Sequence, residues 1–343
     1  MEEKKEAGIR AEYNPTEEEK AKIRMVYERK WAMEQSPDRV EAQKVWDSAA
    51  KQWEGWREEK KASDWQSNHY VPLTTAIVET ALAEMVDQTP RPLILPRSTE
   101  DAPKATVMKH IFDYTWEISD GDTQLYNVMK DTLIFGTAIA QEYYWQDRRI
   151  VRQINVDKKG KETTEEIEVF DYDDAVMEVI KLEDFFIDDK ARSFDGPYGA
   201  RDCIRRYIMD IEDFKLFFKG KEWNQYDNVK YVKAGGMDTN YYEWYKPPQG
   251  IDTSKDVEVL WYWSKKPDDL LRIVANDVLI KDGPNPYAHK QLPFARSIDI
   301  KRPHRFYGKG EPELLESIQD EANTLRRMMI DRNHLDIDKM FLI

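Results

Sequence analysis

Up to about residue 135, apolar residues recur every three or four positions, the spacing of helices that bury one face. "TEEEKAKIRMVYERKWAMEQ" predicts a first helix from Thr16. Thr16 suits the N-cap, and Glu17 to Glu19 favour the positive end of the helix dipole. A second helix is predicted after Ser36, with Pro37 in its first turn. Ala42, Trp46, Ala49, Trp53 and Trp56 form one stripe along it, at 4-3-4-3 spacing. A Trp-rich stripe suits base stacking or packing, and the helical spacing and acidic neighbours favour packing. Pro72 to Gln88 predicts a third helix, which Pro90 and Pro92 end, sending Leu93 to Leu95 into extended chain. "APKATVMKHIFDYTWEIS" predicts a fourth, and Asp122 is expected to cap a fifth, "TQLYNVMKDTLIFG", which Gly136 ends.

From 136 to 302 the pattern turns to strands. "TAIAQEYYW" reads as one. "RRIVRQINV" and "EEIEVFDY", separated by a turn at Lys158-Lys159-Gly160, read as a hairpin. "AVMEVIKLEDFFID" and "RDCIRRYIM" read as further strands, and "DIEDFKLFFK" as a short helix capped by Asp210. "DVEVLWYWSKK", "LLRIVANDVLIKD" and "LPFARSIDI" read as a meander turning at Asn276-Asp277. Gly220 to Thr253 is a polar and aromatic stretch with no assignable period.

The expected fold class is α+β: a flexible N-terminus over 1–15, a helical part over 16–135, a sheet-rich part over 136–302, and a turn and long helix over 303–343. No apolar run approaches the ~18 residues of a membrane span. The charged first residues lack a signal-peptide core, so an intracellular origin is expected.

Charge narrows the chemistry. The net charge of −14 over 343 residues lacks the basic surplus of a protein that grips DNA. The single cysteine, Cys203, excludes an internal disulfide and multi-cysteine zinc sites, and reads as a small buried residue. The five histidines are scattered without metal-ligand spacing, and no cofactor is expected. Asp188-Asp189 reads as part of an acidic turn. No nucleophile elbow or kinase signature is present.

"FYGKGEPELLESIQDEANTLRRMMIDRNHL" opens with Gly308-Lys309-Gly310. A phosphate loop needs a four-residue spacer and then Gly-Lys-Ser/Thr; here Glu311 sets a carboxylate where phosphate would lie. The plainer reading is a bend. Gly308 or Gly310 is expected to have positive φ, with Pro312 starting the helix. Leu315, Ile318, Ala322, Leu325 and Met329 form an apolar seam at 3-4-3-4 spacing, expected to face its own domain. Gln319, Asn323, Arg326 and Arg327 then flank it and are expected to meet a neighbouring subunit.

This last stretch, entered from "PYAHKQLPFARSIDI", resembles the portal proteins of tailed bacteriophages, particularly the large portals of short-tailed phages. The family has an aromatic-Tyr-Gly-x-Gly turn leading into a helix with a Gln-x-x-x-Asn pair, here Gln319 and Asn323. "NHYVPLTTAIVETALAEMVDQTPRPLILPR", "KDTLIFGTAIAQEYYW" and "VIKLEDFFIDDKA" resemble further family segments in the same order, so the likeness runs from Asn68 to Leu335.

The resemblance implies a non-enzymatic ring, most often of twelve copies, at one capsid vertex. Double-stranded DNA is packaged and ejected through such a ring. The implied partners are the major capsid protein, scaffolding protein, the terminase packaging motor, and head-completion or tail adaptor proteins, with no membrane. The place implied is the virion, and the host cytoplasm during assembly. An acidic wall fits a channel, since phosphates held by Lys or Arg would resist sliding. Family members continue into a clip, a second channel-side helix and often a crown, so those regions are expected to be missing here. An intracellular assembly scaffold and a nucleic-acid or phosphoryl-transfer enzyme are the alternatives.

Overall fold

The computed structural model describes residues 13–56, 66–87, 91–156, 162–218, 226–235 and 255–337. They form an α+β protein of seven α-helices and two antiparallel sheets. Two compact units are interleaved along the chain: residues 1–48, 181–292 and 302–306 make the first, and 49–180, 293–301 and 307–343 the second. The chain leaves the second unit at residue 180 and returns to it at 293.

Helix α1 (Glu17–Glu34) starts at Thr16 with a full capping box: the Glu19 amide donates to the Thr16 hydroxyl and the Thr16 amide to the Glu19 carboxylate. Two orphan helix amides are thereby satisfied. Helix α2 (Pro37–Glu54) follows Ser36 as expected. Its first part, with α1, belongs to the first unit, and its end to the second.

In the first unit, strands β3 (Phe185–Ile187), β4 (Asp202–Asp210), β5 (Asp256–Ser264), β6 (Leu270–Ala275) and β7 (Val278–Pro284) form one sheet in sequence order. Ile23, Val26 and Met33 of α1 pack on Phe186, Ile204, Leu260, Tyr262, Val274 and Leu279. Helix α6 (Ile211–Phe217) is capped by Asp210, whose side chain accepts from the Glu212 amide. Asn276 turns β6 into β7 at φ 47, a left-handed angle that Asn tolerates. Cys203 is buried.

Several buried polar groups of this unit find partners inside it. The buried Arg39 guanidinium donates to the carbonyls of Phe185, Leu182 and Glu183 and lies over the Phe186 ring. Asp188 accepts from the amides of Lys190 and Arg201, and Arg29 lies 3.7 Å from it while forking onto Asp202. The Asp188-Asp189 turn is thus tied into structure.

The second unit holds α3 (Leu73–Val86), α4 (Ala102–Ile118), α5 (Gly121–Phe135), β1 (Thr137–Val156), β2 (Glu162–Ile180), β8 (Phe294–Ile298) and α7 (Glu311–Ile337). Ala49, Val78, Leu82, Leu133 and Ile134 form its core.

Several expectations shift here. "TAIAQEYYW" and "RRIVRQINV" are one strand, because a bulge between Asp147 and Arg148 absorbs the polar break. The first part of "AVMEVIKLEDFFID" likewise continues β2, and only Phe185–Ile187 joins the other sheet. β8 pairs with β1 rather than extending the meander. Asp120, at φ 52, takes the N-cap position of α5, while Asp122 accepts from Trp116 Nε1 at 2.7 Å. Leu93 to Leu95 lies outside both sheets and outside any helix. The expected turn at 158–160 and most of 220–253 lie outside the described residues.

Candidate functional site at the base of the long helix

Three glycines meet where α7 begins. Gly136 ends α5 in a left-handed turn at φ 75, its amide donating to Thr132 O at 2.8 Å. A Cβ on Gly136 would stand 2.4 Å from the Lys309 carbonyl carbon and 2.5 Å from Gly310 N. A Cβ on Gly308 would stand 2.3 Å from Gly136 O, and one on Gly310 2.6 Å from Ile134 O. Backbone therefore lies directly on backbone, which only hydrogen side chains allow.

The expected positive φ is not found at either Gly308 or Gly310. Both are required by space rather than by angle; the left-handed angle belongs to Gly136. Buried Pro312 occupies the second position of α7, where a missing amide costs nothing.

The amides of Gly308 and Lys309 have protein partners. Gly308 N–H donates to Thr137 Oγ1 at 2.7 Å, and Lys309 exchanges backbone hydrogen bonds with Ile300 at 2.9 and 3.2 Å. A phosphate loop would aim such amides at its ligand. The Lys309 ammonium lies 3.6 Å from Glu313. Beside the turn, the Asp299 amide donates to Gly136 O at 3.3 Å. Burial, together with the negative charge of Glu311, pushes the Asp299 carboxyl up to about 6, and its Oδ2 has no hydrogen-bond partner.

Above the junction, α7 carries Gln319, Asn323, Arg327 and Asp331, one every four residues. Each reaches the segment between Ser67 and Thr74. Gln319 Oε1 accepts from the Thr74 amide and hydroxyl at 3.1 Å, and its Nε2 donates to Val71 O at 2.5 Å. Asn323 Oδ1 accepts from Val71 N at 2.9 Å, Arg327 Nε donates to His69 O at 2.9 Å, and Asp331 accepts from Ser67 N at 2.6 Å.

The spacing has a geometric cause. Four residues of helix rise ~6 Å, and two residues of extended chain span ~6.6 Å. Steps of four along α7 therefore keep pace with steps of two from Val71 to His69 to Ser67, run in the opposite direction.

This rack reverses the expected faces of α7. Gln319 and Asn323 are 2% and 7% exposed, while Ile318 and Leu325 of the seam are 51% and 55% exposed. Leu315 and Ala322 are half-buried, and Met329 is exposed. The packed neighbour is a length of backbone whose amides and carbonyls need partners, and side-chain amides supply them where leucine could not. Gln319 and Asn323 thus bind their own subunit. Arg327 is half-buried and Arg326 exposed. The sequence reading missed Thr137 and the 67–74 segment as partners. The four-residue recurrence of polar groups on α7 was the signal available.

The described residues contain no group of three or more His, Cys, Asp or Glu able to hold a metal ion. No helix among them is long and apolar enough to cross a membrane.

The profile of the phage P22-like portal protein family matches residues 24–301, most of the chain. The chain belongs to that family. The match spans both compact units and ends before the Gly308 turn and α7, so it includes Ser67 to Thr74 of the rack but not its helix. Portal proteins are structural proteins, not a family of enzymes. No curated protein matches the chain.

Proposed function

We propose that this portal protein forms a closed ring, most often of twelve copies, at one vertex of a phage capsid. Double-stranded DNA enters through it during packaging and leaves by it on ejection. The major capsid protein and scaffolding protein surround it during assembly in the host cytoplasm. The terminase motor docks on it for packaging, and head-completion or tail adaptor proteins follow in the virion.

The observation that carries this reading is the family match over residues 24–301. The junction and rack support it mechanically, because they hold a 27-residue helix at its base and along its side. The net charge of −14 suits a surface that DNA passes without sticking. Arg326 and Arg327 remain proposed for the subunit boundary, where a planar guanidinium can fork onto a carboxylate.

Electron microscopy of the purified chain tests the reading. Rings with a central hole are expected. A monodisperse monomer at all concentrations would overturn it.

A further inference from the structure

Strands β1 and β2 form a hairpin that outruns its sheet. β8 pairs with β1 only from Thr137 to Gln141, whereas the β1–β2 ladder continues to Val156 and Glu162. The arm beyond Gln141 is ~50 Å long at ~3.4 Å per residue. From Arg149 to Arg152 and from Ile167 to Asp171, every described side chain is exposed, Val151, Ile167, Val169 and Phe170 among them. Among the described residues no strand pairs with the outer edge of β2, or with β1 beyond Gln141. Neither 142–156 nor 162–174 contains a proline or a glycine. A two-stranded ribbon is marginal in water by itself, and a long edge without such breakers is a template for another strand.

Charge selects the strand that fits. Between 148 and 156, β1 carries Arg148, Arg149 and Arg152 and no acid. Between 162 and 174, β2 carries seven acids, among them Glu165, Glu166, Glu168 and Asp171, and no base. Within one copy the strands already use this contrast: Arg152 stands opposite Glu166 in the register, and Arg149 lies 2.9 Å from Asp171. Between copies, two β1 edges would set base on base, and two β2 edges acid on acid. β1 of one copy against β2 of the next sets base on acid at any overlap of the two runs, because each run has one sign throughout. Direction agrees. Neighbours in a ring of twelve differ by a rotation of only ~30°, so their β1 strands run nearly the same way and their β2 strands the opposite way. Adjacent β1 and β2 of different copies are then antiparallel, as they are within a copy. A contact between two unlike edges is also the heterologous kind that closes rings.

We infer that the open edge of β1, over 143–156, pairs antiparallel with the outer edge of β2 in a neighbouring copy of this chain. This rests on the ring reading above. The cationic strand then lies between two acidic ones, and the neighbour continues the ladder that β8 leaves at Gln141.

Arg149→Lys and Arg152→Lys, made together in the full chain, keep the charge of β1 and give it primary amines. A zero-length carbodiimide joins such amines to carboxylates in contact with them. Both positions are exposed, so the subunit core is left intact. Subunits grown on ordinary and on heavy nitrogen are mixed in equal amounts, assembled, cross-linked and digested. A link within a copy joins light to light or heavy to heavy, whereas a link between copies also joins light to heavy. Mass spectrometry should find light–heavy links between the β1 peptide holding 149–152 and the β2 peptides within 162–174. Electron microscopy of the same sample reports whether rings are present. Rings in which these two strands are linked only light to light and heavy to heavy would overturn the pairing and leave the ring reading standing. Absence of rings from the unsubstituted chain would overturn both.

Discussion

Gly308→Ala isolates the physical reason for the glycine junction. The added methyl would stand 2.3 Å from Gly136 O, 2.6 Å from Ile298 Cγ2 and 3.0 Å from Ile300 O. Comfortable contact for such atoms begins near ~3.5 Å, so the closest overlap exceeds about 1 Å and falls on backbone that no rotamer change can move. Overpacking of this kind costs about 1–3 kcal/mol. Backing away also stretches the 2.7 Å bond to Thr137 and the two Ile300–Lys309 bonds, each worth about 1 kcal/mol. The sum is about 4–6 kcal/mol, read as a lowered midpoint of urea unfolding followed by helical circular dichroism. Gly196 supplies the contrast: at φ 92 with nothing within 4 Å, Gly196→Ala should cost only about 1–2 kcal/mol through backbone angle. Asn, which tolerates left-handed angles, should ease the Gly196 site but worsen Gly308. Equal losses at the two sites, or rescue of Gly308 by Asn, would refute the steric argument.

Gln319→Leu should remove three hydrogen bonds to Val71 and Thr74 and cost about 1–3 kcal/mol; hydrogen exchange should report it as faster exchange at the Thr74 amide. Asp299 carries a carboxyl raised to about 6, so the folded state holds a proton that the unfolded state releases near pH 4. Its contribution is fully present below pH 4 and is lost as pH rises through 6. Asp299→Asn should therefore raise the thermal midpoint at pH 7 by an amount worth about 1 kcal/mol after solvent screening, with no gain at pH 4. Lys309→Ala should leave any nucleotide hydrolysis by the purified chain unchanged, as a coupled phosphate-release assay would show. Changing Arg326 and Arg327 together to Glu should alter the subunit count in native mass spectrometry; an unchanged count removes them from the boundary.

Local signals in the sequence were read most reliably. Thr16 and Ser36 announce their helices through capping chemistry that involves only near neighbours, and Gly136 announces the end of α5 for the same reason. The strand after it was legible too, but its length was not. Whether a polar pair such as Gln146-Asp147 breaks a strand depends on what lies opposite. Here Asp173 accepts from both Tyr144 and Gln146 and the strand runs on. The candidate site was half legible. Gly308 and Gly310 stood out as glycines, but their partner is a backbone turn far away in sequence, so angle was inferred where crowding was the cause. On α7 the apolar seam reads as the buried face by the usual logic of oil inward. That logic fails when the covering element is an extended segment offering peptide groups instead of side chains.

The junction and the rack also set an order of events in folding. The contacts that seat α7 against the rest of its unit join residues distant in sequence: Gly308 to Thr137 over 171 positions, Gln319 to Thr74 over 245, Asp331 to Ser67 over 264. None can form until the ribosome has released nearly all of the intervening chain. Contacts of such long range carry the largest loop-closure cost and form late. The excursion from residue 181 to 292 lies inside this loop, and its strands pair only among themselves, so it can fold first and bring the ends of the loop closer. Seating of α7 then follows the folding of this excursion, and the exposed seam reaches its place only after it.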